Sequence, residues 1–363
     1  MTHAKTGKSV PSKDLAPLPS NFTPVFIRNQ FFTTIPLPTK AMYPHAAGQR
    51  AIVTGANTGL GFEAARQLLA LGCSHLVLGV RSLDKGREAA KALQAANPRA
   101  TIDVWELDMA SYPSVRAFAR RCQEQLPGRI DSTILNAGVS HIVRVTSATG
   151  HETTMQVNHY GTALLALLLI PVIKAKAKVT ATASGPSPTQ PPAMTIVNSV
   201  TGHLCKFPNR AARPLLPTFD DDALLPFDAT ERYGVSKLVS QMFLVELTDR
   251  IAPVRGNPFI NFVDPGLTKG TSLFRHAKGA MRVAVKGFFS AAGRTVERGA
   301  ATYVHAVLGK GPESHGCFLM NAEIAPLAGY YYTEKGLSAL VWEETLKEPE
   351  FADAEDIVRS VQL

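Results

Sequence analysis

The chain of 363 residues carries a net charge of +9, with 45% hydrophobic and 18% charged residues. This composition is typical of a globular protein and excludes a wholly disordered, coiled-coil or collagen-like chain. Residues 322–363 hold nine acidic residues against three basic ones, so the preceding part of the chain is strongly basic. Because no arginine-rich tract or zinc-ligand spacing accompanies that charge, we expect a polyanionic cofactor, and not nucleic acid, as the partner.

Residues 1–47 contain seven prolines and no long periodic pattern, which predicts an extended arm with one short helix near residues 26–32. The N-terminus lacks the apolar stretch of a signal peptide. The most apolar run, residues 161–173, is shorter than the roughly 20 residues that span a membrane, so no transmembrane segment is expected. Four cysteines lie far apart, which is typical of a reduced, cytoplasmic protein without a metal site.

From residue 48 the chain alternates strand-like and helix-like runs joined by short loops. Such βαβ units are right-handed and form a parallel sheet. The prediction is an α/β, Rossmann-like, doubly wound sheet of about seven parallel strands with helices on both faces. This domain covers residues 48–321, with irregular insertions near residues 174–192 and 203–228. Residues 322–363 are expected to form an acidic helical tail.

A glycine-rich turn, TGANTGLG at residues 54–61, joins the first strand to the first helix. Glycines such as Gly55, Gly59 and Gly61 let the backbone approach a pyrophosphate, which the helix N-terminus attracts. A purely structural turn is the alternative. The position of the turn in the first βαβ unit favours a dinucleotide site.

The end of the second strand selects the cofactor in such a fold. A carboxylate there binds the ribose of NAD, whereas a cation accommodates the extra phosphate of NADP. This chain has Arg81 there, with Lys85 close behind, and the planar guanidinium suits a phosphate. The predicted cofactor is therefore NADP(H), and the alternative is a solvated arginine at a helix start.

Tyr233 and Lys237 are four residues apart and share one face of a predicted helix. The side chain of tyrosine has an ordinary pKa of about 10. An ammonium one turn away in a partly desolvated cleft favours the phenolate and lowers the pKa of the tyrosine. The pair is common, so a surface pair or a core tyrosine is the alternative.

Together these motifs resemble those of the short-chain dehydrogenase/reductase superfamily, in particular its retinol dehydrogenase-like and fungal secondary-metabolism members. The resemblance covers about residues 50–270. Its signatures are TGANTGLG at 54–61, Asp108, the NAG motif beginning at Asn136, Asn158, Ser199, Tyr233 with Lys237, and Asp264-Pro265-Gly266.

The resemblance implies a catalytic tetrad of Asn158, Ser199, Tyr233 and Lys237. Tyr233 would relay a proton to or from the substrate oxygen, and Ser199 would hydrogen-bond that oxygen. Lys237 would hold the nicotinamide ribose and lower the pKa of Tyr233, while Asn158 would order a water molecule. The implied cofactor-binding residues are Gly55, Gly59, Leu60, Gly61, Arg81, Lys85, Asp108, Asn136, Tyr233, Lys237 and Thr268.

The chain also departs from the family pattern. Gly270 stands where a threonine often caps the nicotinamide amide, so Thr268 or Thr271 is expected to take over. The segment between Ser199 and Tyr233 is longer than in compact members. Because both of its ends lead to catalytic residues, we expect insertion 203–228 to form an apolar wall of the substrate site. The residues expected in this wall are Phe207, Leu215 and Phe219, and simple packing on the body is the alternative.

The leading hypothesis is an NADP(H)-dependent oxidoreductase that acts on the carbonyl or alcohol group of a bulky apolar small molecule, such as a terpenoid, polyketide or retinoid-like compound, in secondary metabolism. One alternative is an NADP-binding regulator without catalysis, which an intact tetrad argues against. Another is a sugar epimerase, which usually has TGxxGxxG and a larger C-terminal domain. The family often dimerises through a helix pair, so a homodimer is left open, although the lysine-rich insertion 174–192 is unusual there.

Overall fold

The strands of the protein form one twisted sheet in a computed structural model that describes residues 9–182, 190–254, 256–269 and 292–362. The eight strands are β1 (Arg50–Thr54), β2 (His75–Val80), β3 (Thr101–Glu106), β4 (Ser132–Leu135), β5 (Ala193–Val197), β6 (Phe259–Asp264), β7 (Phe318–Met320) and β8 (Glu323–Ala325). Their order is β3-β2-β1-β4-β5-β6-β7-β8. The first seven run parallel, and β8 is antiparallel to β7.

The longer helices are α1 (Thr23–Phe31), α2 (Gly59–Ala70), α3 (Leu83–Ala96), α4 (Tyr112–Gln125), α5 (Thr162–Thr182), α6 (Ala229–Arg250), α7 (Val296–Leu308), α8 (Leu337–Leu346) and α9 (Ala354–Gln362). Short helical turns lie at Ser12–Asp14, Pro44–Ala46, Thr153–Met155, Thr201–Leu204, Leu216–Asp220, Pro312–Ser314, Gly329–Thr333 and Pro349–Phe351, and Gln156–Gly161 is a π-helix that leads into α5. At several helix starts a side chain accepts hydrogen bonds from the free backbone N–H groups: Ser82 caps α3, Ser111 caps α4 and Asp228 caps α6.

Helices cover both faces of the sheet. Residues of α2, α3 and α7 form one buried apolar cluster, and residues of α4, α5 and α6 form another. The predicted α/β doubly wound fold is therefore confirmed. The predicted number of about seven parallel strands is confirmed, and Glu323–Ala325 turns back to add an eighth, antiparallel strand beside β7. The strand order reverses between β1 and β4, and a crevice opens at such a reversal beyond the carboxyl ends of the strands.

Residues 322–363 pack as part of the body. Helix α8 lies along α6, where Trp342 stacks on Phe243 with ring centres 4.8 Å apart. Helix α9 lies along α5, and Arg116 of α4 pairs with Glu350 and Asp353 at 3.1 Å each. Because α8 covers the outer side of α6, the Ala229–Arg250 helix is buried on nearly all sides.

Within the described part of the chain, one helical stretch, Thr153–Ala177, is long and apolar enough to cross a membrane by length and composition. In its most apolar window 72% of the residues are buried inside the protein, as in the core helix of a globular fold. Helix α5 continues to Thr182, so the first part of the expected 174–192 loop is helical. Residues 183–189 of that loop lie outside the described ranges.

Insertion 203–228 buries its largest apolar side chains beneath the C-terminal segment, although more than half of its residues are exposed. Phe207, Leu215 and Phe219 are each at most 1% exposed and belong to the same apolar cluster as α6. The Glu344 carboxylate of α8 accepts hydrogen bonds from the backbone N–H groups of Leu215 and Leu216, at distances down to 2.7 Å. These bonds hold the insertion against the body.

A histidine joins the insertion to the C-terminal segment. His151 Nδ1 lies 2.7 Å from Asp220 and Nε2 lies 3.2 Å from Glu348, while the ring stacks on Tyr160 at 4.3 Å. Burial by itself would lower the pKa of His151, but the two carboxylates outweigh it and raise the pKa to about 9. The imidazole is therefore charged at neutral pH.

This charge makes the stability of the junction pH-dependent. Because the pKa of His151 is raised from 6.5 in the unfolded chain to about 9, its contribution is complete below pH 6.5 and is lost as the pH rises through 9. We expect His151→Gln to lower the free energy of unfolding by about 1.5–3 kcal/mol at pH 6, and by much less at pH 10. Urea denaturation at both values measures this.

The exposed pair of Arg87 and Asp84 supplies the control, because Asp84→Asn should cost less than about 1 kcal/mol at either pH. An equal cost of His151→Gln at pH 6 and pH 10 would contradict a charged histidine at this junction.

Candidate active site

A cavity of about 1270 Å³ opens at the crevice where the strand order reverses. Ligand pockets usually measure about 300–1,000 Å³, so this cavity has room for a large ligand and a second molecule. Eleven of the predicted site residues line it: Gly55, Gly59, Leu60, Arg81, Lys85, Asp108, Asn136, Ser199, Tyr233, Lys237 and Thr268. The other two, Gly61 and Asn158, lie behind the wall.

The glycine-rich turn brings backbone to the cavity. Gly55 adopts a φ of +64°, a conformation that favours glycine, and its N–H donates to Gly79 O at 2.8 Å. A Cβ at Gly61 would lie 2.5 Å from Gly55 O, so a larger residue would push α2 away from the turn. Asn136 Nδ2 donates to Thr54 O at 2.9 Å and thereby ties the turn to the end of β4. The N-terminus of α2 consequently faces the cavity.

Two cations stand at the adjacent end of β2. Arg81 and Lys85 line the cavity, while Asp84 pairs with Arg87. Because Arg87 balances the charge of Asp84, the Arg81 and Lys85 side of the cavity stays positively charged. Asp108, after β3, also lines the cavity and accepts a hydrogen bond from Ala110 N at 3.0 Å.

The catalytic candidates meet on the other side. Ser199 follows β5, and Tyr233 and Lys237 lie one turn apart on α6. The Ser199 side chain hydrogen-bonds the Tyr233 hydroxyl, and its Oγ also accepts from Thr201 Oγ1 at 2.9 Å. Lys237 Nζ donates to Val197 O at 2.9 Å and lies 5.9 Å from the centre of the Tyr233 ring.

Asn158 supports this group from behind. It is 1% exposed, and its amide exchanges two hydrogen bonds of 2.9 Å with the backbone of Val139. A Cβ at Gly138 would lie 3.2 Å from Asn158 Oδ1 and 3.5 Å from Lys237 Nζ, so Gly138 separates the two side chains. The π-helix Gln156–Gly161 carries Asn158, and such local widenings of a helix are frequent at functional sites.

The expected lowering of the Tyr233 pKa is not found. Burial and the charge of Asp264 raise the pKa of Tyr233, and the hydrogen bond from Ser199 opposes them only in part. Lys237 cannot reverse this, because its ammonium is directed at a carbonyl oxygen and burial lowers its own pKa to about 8. The Tyr233 hydroxyl is therefore protonated at neutral pH.

Asp264 and Arg294 are site residues that sequence reasoning did not assign. Asp264 accepts from Val200 N and Gly266 N at 3.0 Å each, so it joins the loop of Ser199 to the turn after β6. Arg294 packs against Gly266 and donates to the carbonyl oxygen of Asn29. The Asp264-Pro265-Gly266 motif signalled the first residue, whereas no local pattern marks Arg294.

The predicted apolar wall is wrong in its location. Of the described cavity-lining residues, only Leu204 comes from insertion 203–228, because Phe207, Leu215 and Phe219 are buried in the core. The N-terminal arm contributes seven lining residues instead: Ser20, Asn21, Phe22, Thr23, Phe26, Asn29 and Gln30. The spacing of Phe22, Phe26 and Gln30, four residues apart, was the signal available in the sequence.

Of the two candidates for the residue that caps the nicotinamide amide, one lies among the described residues. Thr268 lines the cavity and donates to Gly266 O at 3.1 Å, whereas Thr271 lies outside the described residues.

Comparisons with known proteins agree with this geometry. The sequence profile described as short chain dehydrogenase matches residues 49–196. The chain is 44% identical to the short chain dehydrogenase/reductase mfmJ of Annulohypoxylon moriforme, over 97% of this chain and 99% of that one. It is 41% identical to the short chain dehydrogenase virL of Hypocrea virens, over 93% and 94%.

Among solved structures, the NADPH-bound short chain oxidoreductase of Pseudomonas aeruginosa PAO1, which has an atypical catalytic center, superposes with a TM-score of 0.54. The two chains share 17% identity, and the match covers 81% of this chain and 98% of that one, which supports the fold. With the two fungal relatives matching nearly end to end, the chain belongs to the short-chain dehydrogenase/reductase family of oxidoreductases.

Proposed function

We propose that the protein uses NADP(H) to interconvert a carbonyl and a hydroxyl group on a bulky, weakly polar small molecule. The observation that carries this proposal is the meeting of Ser199, Tyr233 and Lys237 on one cavity wall, with a glycine-rich turn and two cations on the other.

The cavity suits a phosphorylated dinucleotide. Gly55 and Gly61 let the turn pack closely against Asn136, and the N-terminus of α2, at Gly59 and Leu60, lines the cavity where a pyrophosphate would bind. Arg81 and Lys85 offer charge to a ribose phosphate, and Thr268 stands near the other end of the cavity for the nicotinamide amide. The Pseudomonas aeruginosa oxidoreductase, which shares the fold, was solved with NADPH.

The chemistry of the chain follows from its protonation states. NADPH, when bound, supplies a hydride to the carbonyl carbon. Tyr233, protonated at neutral pH, donates a proton to the carbonyl oxygen, and Ser199 donates a hydrogen bond to the same oxygen. Lys237 contributes an ammonium next to the reacting groups, and Asn158 fixes the Val139 backbone beside them.

The lining of the cavity suits a weakly polar substrate. Part of the lining is apolar and consists of Phe22, Phe26, Ile142, Leu204 and Met320.

The biological setting is supported by other observations. The fungal sources of the relatives support a role in fungal secondary metabolism. The four cysteines are buried and unpaired, which fits the cytoplasm. A helix-pair homodimer would have to use faces that α8 and α9 leave uncovered.

The proposal is tested by following NADPH oxidation over a panel of aldehydes and ketones. Turnover of apolar ketones supports it. Tight NADPH binding without turnover of any carbonyl compound would favour the NADP-binding regulator.

Tyr233→Phe removes the proton donor and keeps the ring. We expect kcat to fall about 10²–10⁴-fold, while the Kd for NADPH stays nearly unchanged because the hydroxyl adds little affinity. Stopped-flow hydride transfer and fluorescence titration of NADPH measure the two effects. Activity within about tenfold of the wild type, or about 1.4 kcal/mol in the barrier, would reject this role.

Arg81→Ala should weaken NADPH about 10- to 100-fold, since a hydrogen bond to a charged group is worth about 1.5–3 kcal/mol. NADH, which lacks the 2′-phosphate, should bind as before. Lys91→Ala is the control, because Lys91 is an exposed cation on α3 that does not line the cavity. Equal losses for NADPH and NADH in calorimetric titrations would move the assignment to Lys85.

The pKa of Lys237, lowered to about 8 by burial, sets an expected pH limit. The ammonium is present below that value and lost above it, so kcat/KM for reduction should decline above pH 8. In Lys237→Arg the guanidinium stays protonated, and this decline should be absent even if the rate is lower. The same decline in the arginine variant would assign it to another group.

A further inference from the structure

Helix α1 of the N-terminal arm has two different faces. Phe22, at its N-terminal boundary, Phe26 and Gln30 recur at helical spacing on one face, and all three line the cavity. On the outer side, Ile27 is 43% and Phe31 56% exposed. No residue of Thr23–Phe31 is fully buried, so this helix has no core of its own. An isolated helix of nine residues is marginal in water, and contacts with the body must therefore hold α1 in place.

Those contacts are polar and come from the loops at the edge of the cavity. Gln30 Nε2 donates to Leu267 O at 2.7 Å, after β6. Asn29 accepts from Arg294 at its carbonyl oxygen, and its Nδ2 lies 3.2 Å from Sδ of Met320, the last residue of β7. Leu267, Arg294 and Met320 themselves line the cavity.

The rest of the arm is attached on both sides of α1. Before it, Ser12 Oγ accepts from Phe318 N at 2.8 Å, on β7. After it, Ile35 is 1% exposed and its carbonyl oxygen accepts from Arg298 at 3.0 Å. Helix α1 is thus fixed between two anchors, and its Phe22 and Phe26 face is held towards the cavity.

Helix α1 lies at the reaction end of the cavity. It is held by Leu267, just after β6, and by Met320, at the end of β7. Tyr233 is close to the same end of β6, because the charge of Asp264, the last residue of β6, acts on it. Arg81, at the end of β2, is four strands away from β6, or roughly 20 Å at the usual strand spacing. The cofactor-phosphate end and α1 are therefore far apart.

We propose that α1 is the specificity-determining wall of the substrate site, with Phe22 and Phe26 contacting the apolar body of the substrate. This inference rests on the proposed function and deepens it. Two phenyl rings favour an aromatic or extended apolar body, which they desolvate and pack against. A small ketone held at Tyr233 does not require that contact, so α1 selects for size and apolar character.

The test compares three methyl ketones with the same reacting group: acetone, acetophenone and acetylnaphthalene. In Phe26→Ala, and in Phe22→Ala, kcat/KM for acetylnaphthalene should fall about 10- to 100-fold. The value for acetone and the Kd for NADPH should change less than about threefold. Gln30→Ala keeps both rings but removes the hydrogen bond to Leu267. It should also lower kcat/KM for acetylnaphthalene relative to kcat/KM for acetone.

Phe32→Ala is the matched control, because Phe32 is the same residue type, 80% exposed and at the end of the same helix. It should leave the ratio of acetylnaphthalene to acetone unchanged. Thermal unfolding checks that each variant is folded, which the exposure of α1 leads us to expect. A wild-type ratio in both Phe22→Ala and Phe26→Ala would overturn the proposal.

Failure of the proposed function is a separate result. If the wild type binds NADPH but reduces none of the ketones, the assignment of the reaction fails. Calorimetric binding of acetylnaphthalene to the NADPH-loaded protein then tests the wall by itself. Weaker binding in Phe26→Ala and unchanged binding in Phe32→Ala would support it, and equal binding in all variants would overturn it.

Discussion

The buried carboxylate of Asp264 is the interaction on which the site depends. It accepts hydrogen bonds from the backbone N–H groups of Val200 and Gly266, and so fixes two loops from neighbouring strands in one geometry. Ser199 lies in the first loop, and Thr268 follows the second. Burial disfavours the charge of Asp264 and raises its pKa, while Arg294 opposes this. The loss of either backbone contact would leave the buried carboxylate with fewer of the hydrogen bonds that compensate for its burial.

Asp264 also acts on Tyr233. Burial of the Tyr233 hydroxyl raises its pKa, and the nearby carboxylate raises it further, so Tyr233 keeps its proton. Arg294 extends this network to the arm through the Asn29 carbonyl oxygen. The position of α1 and the charge distribution beneath Tyr233 therefore share one cation.

The insertion and the C-terminal segment stabilise the opposite side of α6. Glu344 and Glu348 bind the insertion through backbone N–H groups and His151, and Trp342 packs on α6. Large apolar side chains such as Phe219 find complete burial there. The rigid layer holds α6, and with it the spacing of Tyr233 and Lys237, while the arm supplies the wall of the cavity.

The sequence by itself determined the fold class and predicted thirteen site residues, of which eleven line the cavity, because the period of apolar residues and the glycine spacing are local properties. It predicted Ser199, Tyr233 and Lys237 on neighbouring elements, and the parallel sheet brings such strand ends together. Only the tertiary structure decided the pKa direction of Tyr233, since burial and Asp264 arise from residues distant in the chain. It also decided which apolar segment lines the cavity. Phe26 and Phe219 look alike in sequence, but burial depends on the partners that the folded chain places around each of them.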